Sequence, residues 1–599
     1  MDTTAYRPLT QEEVQQLKQQ GNRCDDWSQV QVLDPFAPQL VQGNTFVGEV
    51  RVGRLDKVPL PVPTLADALL HQVGISDSTL CNCTLGDHCA VHQVRLLVGY
   101  RVGDRCTLFN LGELVADRRD LSENWEPAWM EVMNECGGRR ILPFPGMTIG
   151  DALLWARFRG RPQLMQRLEA MTREQLGSTA YATIGDGATL CHTQQIRNVA
   201  VLSEADDPTT IEACVALQDG VVGLGCHLSK GVVAERFLLG EHVHLEFGLR
   251  LNDSVVGDNA TLARCEVGCS LIFPAHEQHH NNSFLIAALV EGQSNVAAGA
   301  TLGSNHNSRT ADNELVGKRG FWPGLCCSLK HSSRFASYTL LAKGDYPYEL
   351  DIPFPFCLVN NNVAQNQLEV MPAYWWLYNM YALDRCSRKF AARDRRRRAL
   401  QPVEFSPLAP DTAEEILSAM ALLREGRPVA MEHSRRPVVL LKQEQALSAY
   451  EEMLLYYALG TLREAYPDQL PPDTLGAGTR QTVWFNVGGQ LVASDDMASV
   501  IADIEQGRLA SWDEVHARWQ QLWRNYGEQK CRHAYQVLCL LWHLPRIDAE
   551  VWQRGKECYE ALQQKVSEQV RLTRKKDDDN PFRQMTYLDA EERKGVLGA

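Results

Sequence analysis

A repeat is the feature that most limits what this chain can fold into. Three consecutive blocks, VGLGCHLSKGVVAERFL, LGEHVHLEFGLRLNDSV and VGDNATLARCEVGCSLI, start at Val222, Leu239 and Val256, and each is 17 residues long. An aliphatic residue returns about every six positions: Val222 and Leu228, then Leu239, Leu245 and Leu251, then Val256, Leu262 and Val267. Glycine commonly follows the first of them (Gly223, Gly240, Gly257), and a small residue (Cys226, Val243, Ala260) stands four positions after it. This period matches neither the 3.6 residues of a helical turn nor the two-residue alternation of a simple strand. Three such units make one triangular turn of a parallel β-helix. One aliphatic side chain per face points inward, and Gly, Asn or Asp relieves the corners.

The same register runs through Leu85 and Val91, Val102, Leu108 and Leu114, and Ile184, Leu190, Ile196 and Leu202. It returns at Val290, Val296 and Leu302, with shorter support at Phe46, Val52 and Val58. It resembles the left-handed β-helix of the hexapeptide-repeat transferase superfamily, and the left hand is what that resemblance implies. The expected fold is a mainly β solenoid with a helical insertion and an α-helical C-terminal region. Residues 1–40 read as an N-terminal helical segment, 41–118 as the first β-helix part and 119–180 as the helical insertion. Residues 181–370 read as the second β-helix part, 371–574 as the helical region and 575–599 as a polar tail. In the insertion, NWEPAWMEVMNECGG predicts a helix stopped by Gly137 and Gly138, and Thr148 a cap for the next; Trp125, Trp129 and Trp155 read as packing residues. Arg139 and Arg140 read as exposed. The region after 370 predicts helices over 372–398, 412–425, 444–466, 512–544 and 551–574, interrupted by a short strand in TVWFNVGGQLV.

A formal charge of −14 sets the overall field against nucleic acid and anionic membranes, so neither is an expected partner. The basic run Arg393 to Arg398 is the local exception and reads as a solvated face or a salt-bridge partner. No secretory signal is visible at the N-terminus, and no apolar run reaches the roughly 20 residues of a spanning helix, so a soluble cytoplasmic protein is expected. The 18 cysteines lack a disulfide framework and contain no CxxC pair, so they are expected as reduced thiols without a structural zinc site. His88, His92, His227, His242 and His244 read as surface or corner residues.

Polar chemistry concentrates between 273 and 345. AHEQHHNNSF brings His276, His279 and His280 together, followed by Asn281 and Asn282. The interior of a β-helix is narrow and apolar, so these imidazoles are expected to face outward or into a subunit groove. A histidine suits general-base work because its pKa lies near neutrality. AHEQHH is similar to the stretch around the catalytic histidine in the sugar-nucleotide acyltransferases of lipid A synthesis. That similarity implies His279 as base with His276 beside it; His280 stays open as the base. Asn281, Asn282 or Asn295 would orient it or stabilise an oxyanion. GSNHNSR supplies Asn305, His306, Ser308 and Arg309; LKHSSR supplies Lys330, His331, Ser333 and Arg334. Both carry hydroxyl and guanidinium groups suited to phosphate. Trp322 is a candidate platform for a base or sugar ring, and Lys343 and Asp345 complete the set. A metal site and a purely structural role are the competing readings of the histidines, and no metal is expected.

Two functions follow. One is an acyl- or acetyltransferase that acts on a sugar or nucleotide-sugar, with acyl-CoA or acetyl-CoA as donor along the coils. The other is a non-catalytic binding or assembly protein that recognises a phosphorylated metabolite on the same scaffold. Similar β-helices also accompany sugar-1-phosphate nucleotidyltransferase domains, but the glycine-rich signature of that activity is missing from this sequence. The whole chain resembles large bacterial hexapeptide-repeat proteins with helical C-terminal extensions. The resemblance implies homotrimers, a contact that the insertion and helical region would block or replace.

Overall fold

The computed structural model describes residues 6–57, 72–117, 127–178, 182–304, 314–426 and 430–597. Val58 and Trp125 lie outside the described residues. The repeat folds as a parallel β-solenoid with three faces. On the first face Leu217, Ala234, Leu251, Val267, Leu285, Leu302 and Leu329 follow one another in parallel register. On the second, Leu239, Val256, Ile272 and Val290 do so, and on the third Leu228, Leu245 and Leu262. The aliphatic residues six apart in the sequence are therefore the inward column, and each is at most 2% exposed.

The strands Gln195–Val201, Ala216–Val222, Val233–Leu239 and Arg250–Val256 each run over two faces. They bend at Asn198, Asp219, Arg236 and Asp253, whose φ angles lie between 45° and 53°. Such left-handed corners are where Asn and Asp are tolerated best, because their short polar side chains bond locally. His88 and His242 hold left-handed corners too, at φ 55° and 54°. The glycines after the first aliphatic residue have a different cause: a Cβ at Gly223 would meet the Gly240 carbonyl oxygen at 2.1 Å, so only glycine lets these coils stack.

The chain enters the solenoid before residue 41. After a helix at Gln11–Gln19, closed by a Thr10/Glu13 capping box, Arg23–Cys24 already pairs in parallel with Thr45–Val52. In the insertion the expected helix is replaced by an antiparallel pair, Met130–Glu131 with Arg140–Ile141. Gly137 and Gly138, at φ 81° and 94°, turn that pair instead of stopping a helix. Docking explains the change, since Met133 N–H donates to the Cys269 carbonyl (2.6 Å) and Glu131 N–H to Asp253 (3.1 Å). Arg139 is buried against Glu314, contrary to the expected exposure. Thr148 caps Ile149–Arg157 through a capping box with Asp151, and Pro162–Ser178 follows.

A second apolar stripe lies on the outside of the second face: Ala200, Val221, Leu238, Val255, Leu271 and Leu289, each at most 2% exposed. The insertion and the hairpin Trp484–Val487/Gln490–Ala493, with helices Ser494–Glu505 and Trp512–Trp542, cover it in one apolar cluster. The far end of the column is filled by rings: Tyr338 stacks on Phe356 at 4.8 Å and meets Trp375 edge-on at 6.2 Å. Helices Gln443–Ala465, Trp512–Trp542 and Ala549–Asp578 pack together beyond it. The run Arg393 to Arg398 is a salt-bridge strap. Arg393 holds Glu277 (2.8 Å), Arg396 holds Asp258 (2.9 Å), Arg397 holds Asp206 (2.7 Å) and Arg398 holds Glu204. Among the described residues no helix is long and apolar enough to cross a membrane.

Because Leu245 lies in the middle of the third inward column, Leu245→Ala should leave a void that rigid flanking coils cannot close. We expect a loss of about 2–5 kcal/mol in urea unfolding, and a loss well under 1 kcal/mol would contradict this packing.

Candidate functional site

The third inward column changes character at one coil. Leu262 pairs with Gln278, which takes the inward position that leucine holds in the coils before it. Gln278 and His276 are both fully buried. Nε2 of His276 lies 3.2 Å from Gln278 Oε1, an acceptor only, so Nε2 carries the proton and Nδ1 accepts from Ser294 Oγ at 2.8 Å. Gln278 Nε2 donates in turn to Ser283 Oγ (3.2 Å), and that hydroxyl donates to the His280 carbonyl (3.4 Å). Burial pushes His276 down to about 4, partly offset by its bond to Gln278. The expectation that His276 faces outward, as a catalytic candidate, is therefore corrected. The interior admits it because Ser294 on the next coil and Gln278 on its own satisfy both ring nitrogens. Through Gln278 and Ser283 it is linked to the carbonyl of His280.

His279 and His280 do face outward, with ring centroids 4.5 Å apart. His279 is half-buried, and that burial lowers its pKa while the neighbouring Glu277 opposes the shift. Glu277 is itself held by Lys389 and Arg393. His280, Asn281 and Asn282 are exposed and line an open groove of about 1040 Å³ with Phe247, Arg250 and Arg264. Among the described residues the His280 imidazole has no hydrogen-bond partner. Lys230, Phe247 and Arg264 are successive corner residues with φ of 58°, 55° and 57°. The ammonium of Lys230 and the guanidinium of Arg264 lie 4.3 and 4.2 Å from the Phe247 ring centre. This column presents cation, aromatic ring, cation and then imidazole along one edge, which suits a ligand with a planar part and anionic groups.

The remaining candidates do not converge on this groove. Phe284, Thr301, Ser328 and Asp345 are paired in succession, which puts Asp345 three coils on, roughly 14 Å along the axis. Lys343 and Asp345 are exposed there. Lys330 is engaged with Glu349 (2.6 Å) and Arg334, on the second face, with Asp351 (2.6 Å). His331 and Ser333 are buried, and Ser333 Oγ accepts from Leu350 N–H (3.0 Å). Trp322 sits on the third face against Trp375, with centroids 5.6 Å apart, and is packed where a platform was expected. Asn295 bridges to Glu277 on that face. Asn305, His306, Ser308 and Arg309 lie outside the described residues. The groove residues Phe247, Arg250 and Arg264 come from coils that sequence reasoning passed over. The signal was available, since 230, 247 and 264 are 17 apart. Among the described residues no group of three or more His, Cys, Asp or Glu side chains could hold a metal ion.

His276 makes stability depend on pH with a defined sign. Its folded value near 4 lies below the ordinary 6.5, so the unfolded chain takes up the proton first. Its contribution is complete above pH 6.5 and is lost as pH falls toward 4, on the order of 3 kcal/mol. Urea midpoints of the wild type should fall more steeply over that window than those of His276→Gln; parallel profiles would contradict the buried neutral imidazole.

No solved structure matches the chain. It is 40% identical, over an alignment of 667 positions, to a protein of Treponema pallidum (strain Nichols) described as an uncharacterized protein; the match spans 99% of this chain and 90% of the relative. The family described as Domain of unknown function (DUF4954) matches residues 6–427, which include the solenoid, the insertion, the basic strap and the groove. The chain belongs to that family.

Proposed function

We propose that the protein is an acyl- or acetyltransferase acting on a phosphorylated sugar or nucleotide-sugar, with His280 as general base. One observation carries this reading: the exposed imidazole of His280 lies in the same groove as Arg250 and Arg264, on a chain of charge −14. Two guanidinium groups pair with phosphate oxygens, and the Phe247 ring offers an apolar surface between Lys230 and Arg264. The base would take the proton from an acceptor hydroxyl or amine as that group attacks the acyl thioester of acyl-CoA or acetyl-CoA. The anchored turn from Gln278 to Ser283 fixes where the imidazole stands. Resemblance to hexapeptide-repeat transferases supports the same reading and adds the homotrimer as its natural assembly. Val233 and Phe247, 51% and 40% exposed, leave this edge open to a neighbouring subunit.

A non-catalytic role for the same groove is favoured by the absence of an orienting partner on the His280 ring among the described residues. In that reading the groove recognises a phosphorylated metabolite and no bond is made. The two readings separate in one assay series with acetyl-CoA and UDP-sugars. Acyl transfer predicts turnover that falls by about 10²–10⁴-fold in His280→Ala. It also predicts a raised acceptor KM in Arg264→Ala, with unchanged circular dichroism in both variants. Tight UDP-sugar binding without turnover would favour recognition alone, and equal turnover in the wild type, His279→Ala and His280→Ala would remove the base assignment.

A further inference from the structure

On the opposite side of the solenoid, four separate parts of the chain close a second cavity of about 280 Å³. The solenoid contributes Leu289, Glu291 and Lys318, the insertion Arg157 and Phe158, the hairpin Trp484, Phe485 and Asn486, and helix Pro410–Glu425 contributes Asp411 and Glu415. The chamber is fixed by its own polar contacts, since Asn486 Nδ2 donates to the Glu291 carbonyl (3.0 Å). Phe158 and Phe485 meet at 6.2 Å between centroids.

The charges around it nearly cancel. Lys318 holds Glu415 (2.6 Å), Arg157 holds Glu314 (2.5 Å), and Asp411 accepts from Nε and Nη2 of the buried Arg319 at 2.8 Å. Glu291 is left over. Its carboxyl makes no hydrogen bond among the described residues, and burial raises its pKa to about 7 against the pull of Lys318 and Arg157. Glu415 and Asp411 push it the same way as burial. The larger cavity among the C-terminal helices differs in this respect: Lys530, Arg463 and Asp384 there already hold Glu404, Glu560 and Arg388, and its remaining charge, Glu464, is exposed to solvent.

A carboxylate with no hydrogen-bond partner among the described residues, on the wall of a cavity edged by aromatic rings, is an arrangement that recognises an organic cation. The carboxylate supplies the opposite charge, and the rings present their negative faces. We propose that this chamber binds a small organic monocation, an amine or quaternary ammonium compound, through Glu291 and the rings of Phe158, Trp484 and Phe485. Occupancy ties the insertion and hairpin to the solenoid, so the ligand stabilises their docking by mass action.

The test uses the full chain at pH 8 with choline and ethanolamine as probes and 3,3-dimethylbutan-1-ol as the neutral isostere of choline. At least one of the two cations should bind by calorimetry and raise Tm, while the alcohol does neither. Glu291→Gln keeps the shape and removes the charge; it should lose cation binding by tenfold or more while its circular dichroism stays unchanged. Affinity should fall about tenfold between pH 8 and pH 6 as the carboxyl protonates. Equal binding of the alcohol, undiminished binding by Glu291→Gln, or no binding of either cation at millimolar concentration would each overturn the proposal.

Discussion

The interior of the solenoid admits one side chain per face per coil, and that limit governs everything else in the molecule. Leu228, Leu245 and Leu262 obey it on one face, and Leu239, Val256, Ile272 and Val290 on another. A coil that breaks the column must satisfy its own polar atoms inside a space too narrow for a water network. The coil at Gln278 does so with His276, Ser283 and Ser294, and a turn whose carbonyl is held from inside results. At the far end the limit is met differently: rings replace aliphatic chains, and Trp375 closes the column.

The outside of the prism is sorted by the same geometry. Doublets such as Val221-Val222, Leu238-Leu239 and Val255-Val256 place one apolar residue inward and one outward on the second face. The outward member must be covered, and the insertion and C-terminal hairpin cover it. A strap of arginines then ties the helical region to acidic residues of several coils, with Arg396 and Asp258 almost wholly buried. A buried pair of this kind adds little net stability, but removal of one partner is costly, so it fixes where the strap sits. One side of the solenoid is therefore closed and holds a chamber, while the other stays open and holds a groove.

Much of this architecture is legible in the sequence because inward positions repeat at fixed spacing and are purely apolar. Four of the five helices expected after residue 370 are present near their expected bounds, while the one expected over 372–398 is split at Asn379 into Tyr374–Tyr378 and Met380–Ala392 and gives way to the arginine strap; Ser494–Glu505 is hidden in the sequence because it follows the hairpin without a break. The residues of the hairpin at Met130 obey helical spacing in the sequence, while docking on Asp253 and Cys269 decides the outcome. The histidine cluster was legible as a polar interruption, but not the inward turn of His276, because its partner Ser294 belongs to the following coil. Phosphate candidates such as Arg334 and Lys330 look available in sequence and are engaged by acids about one coil further on. Period-17 corner columns would have pointed to Lys230, Phe247 and Arg264 instead.

The central claim is that an internal polar plug, set into an aliphatic column, holds the His280 turn in place. Hydrogen–deuterium exchange of Gln278→Leu measures it directly. Restoring the leucine column should leave protection of neighbouring coils intact and speed exchange at 279–283 by tenfold or more. Unchanged protection across that turn would show that the plug does not position it.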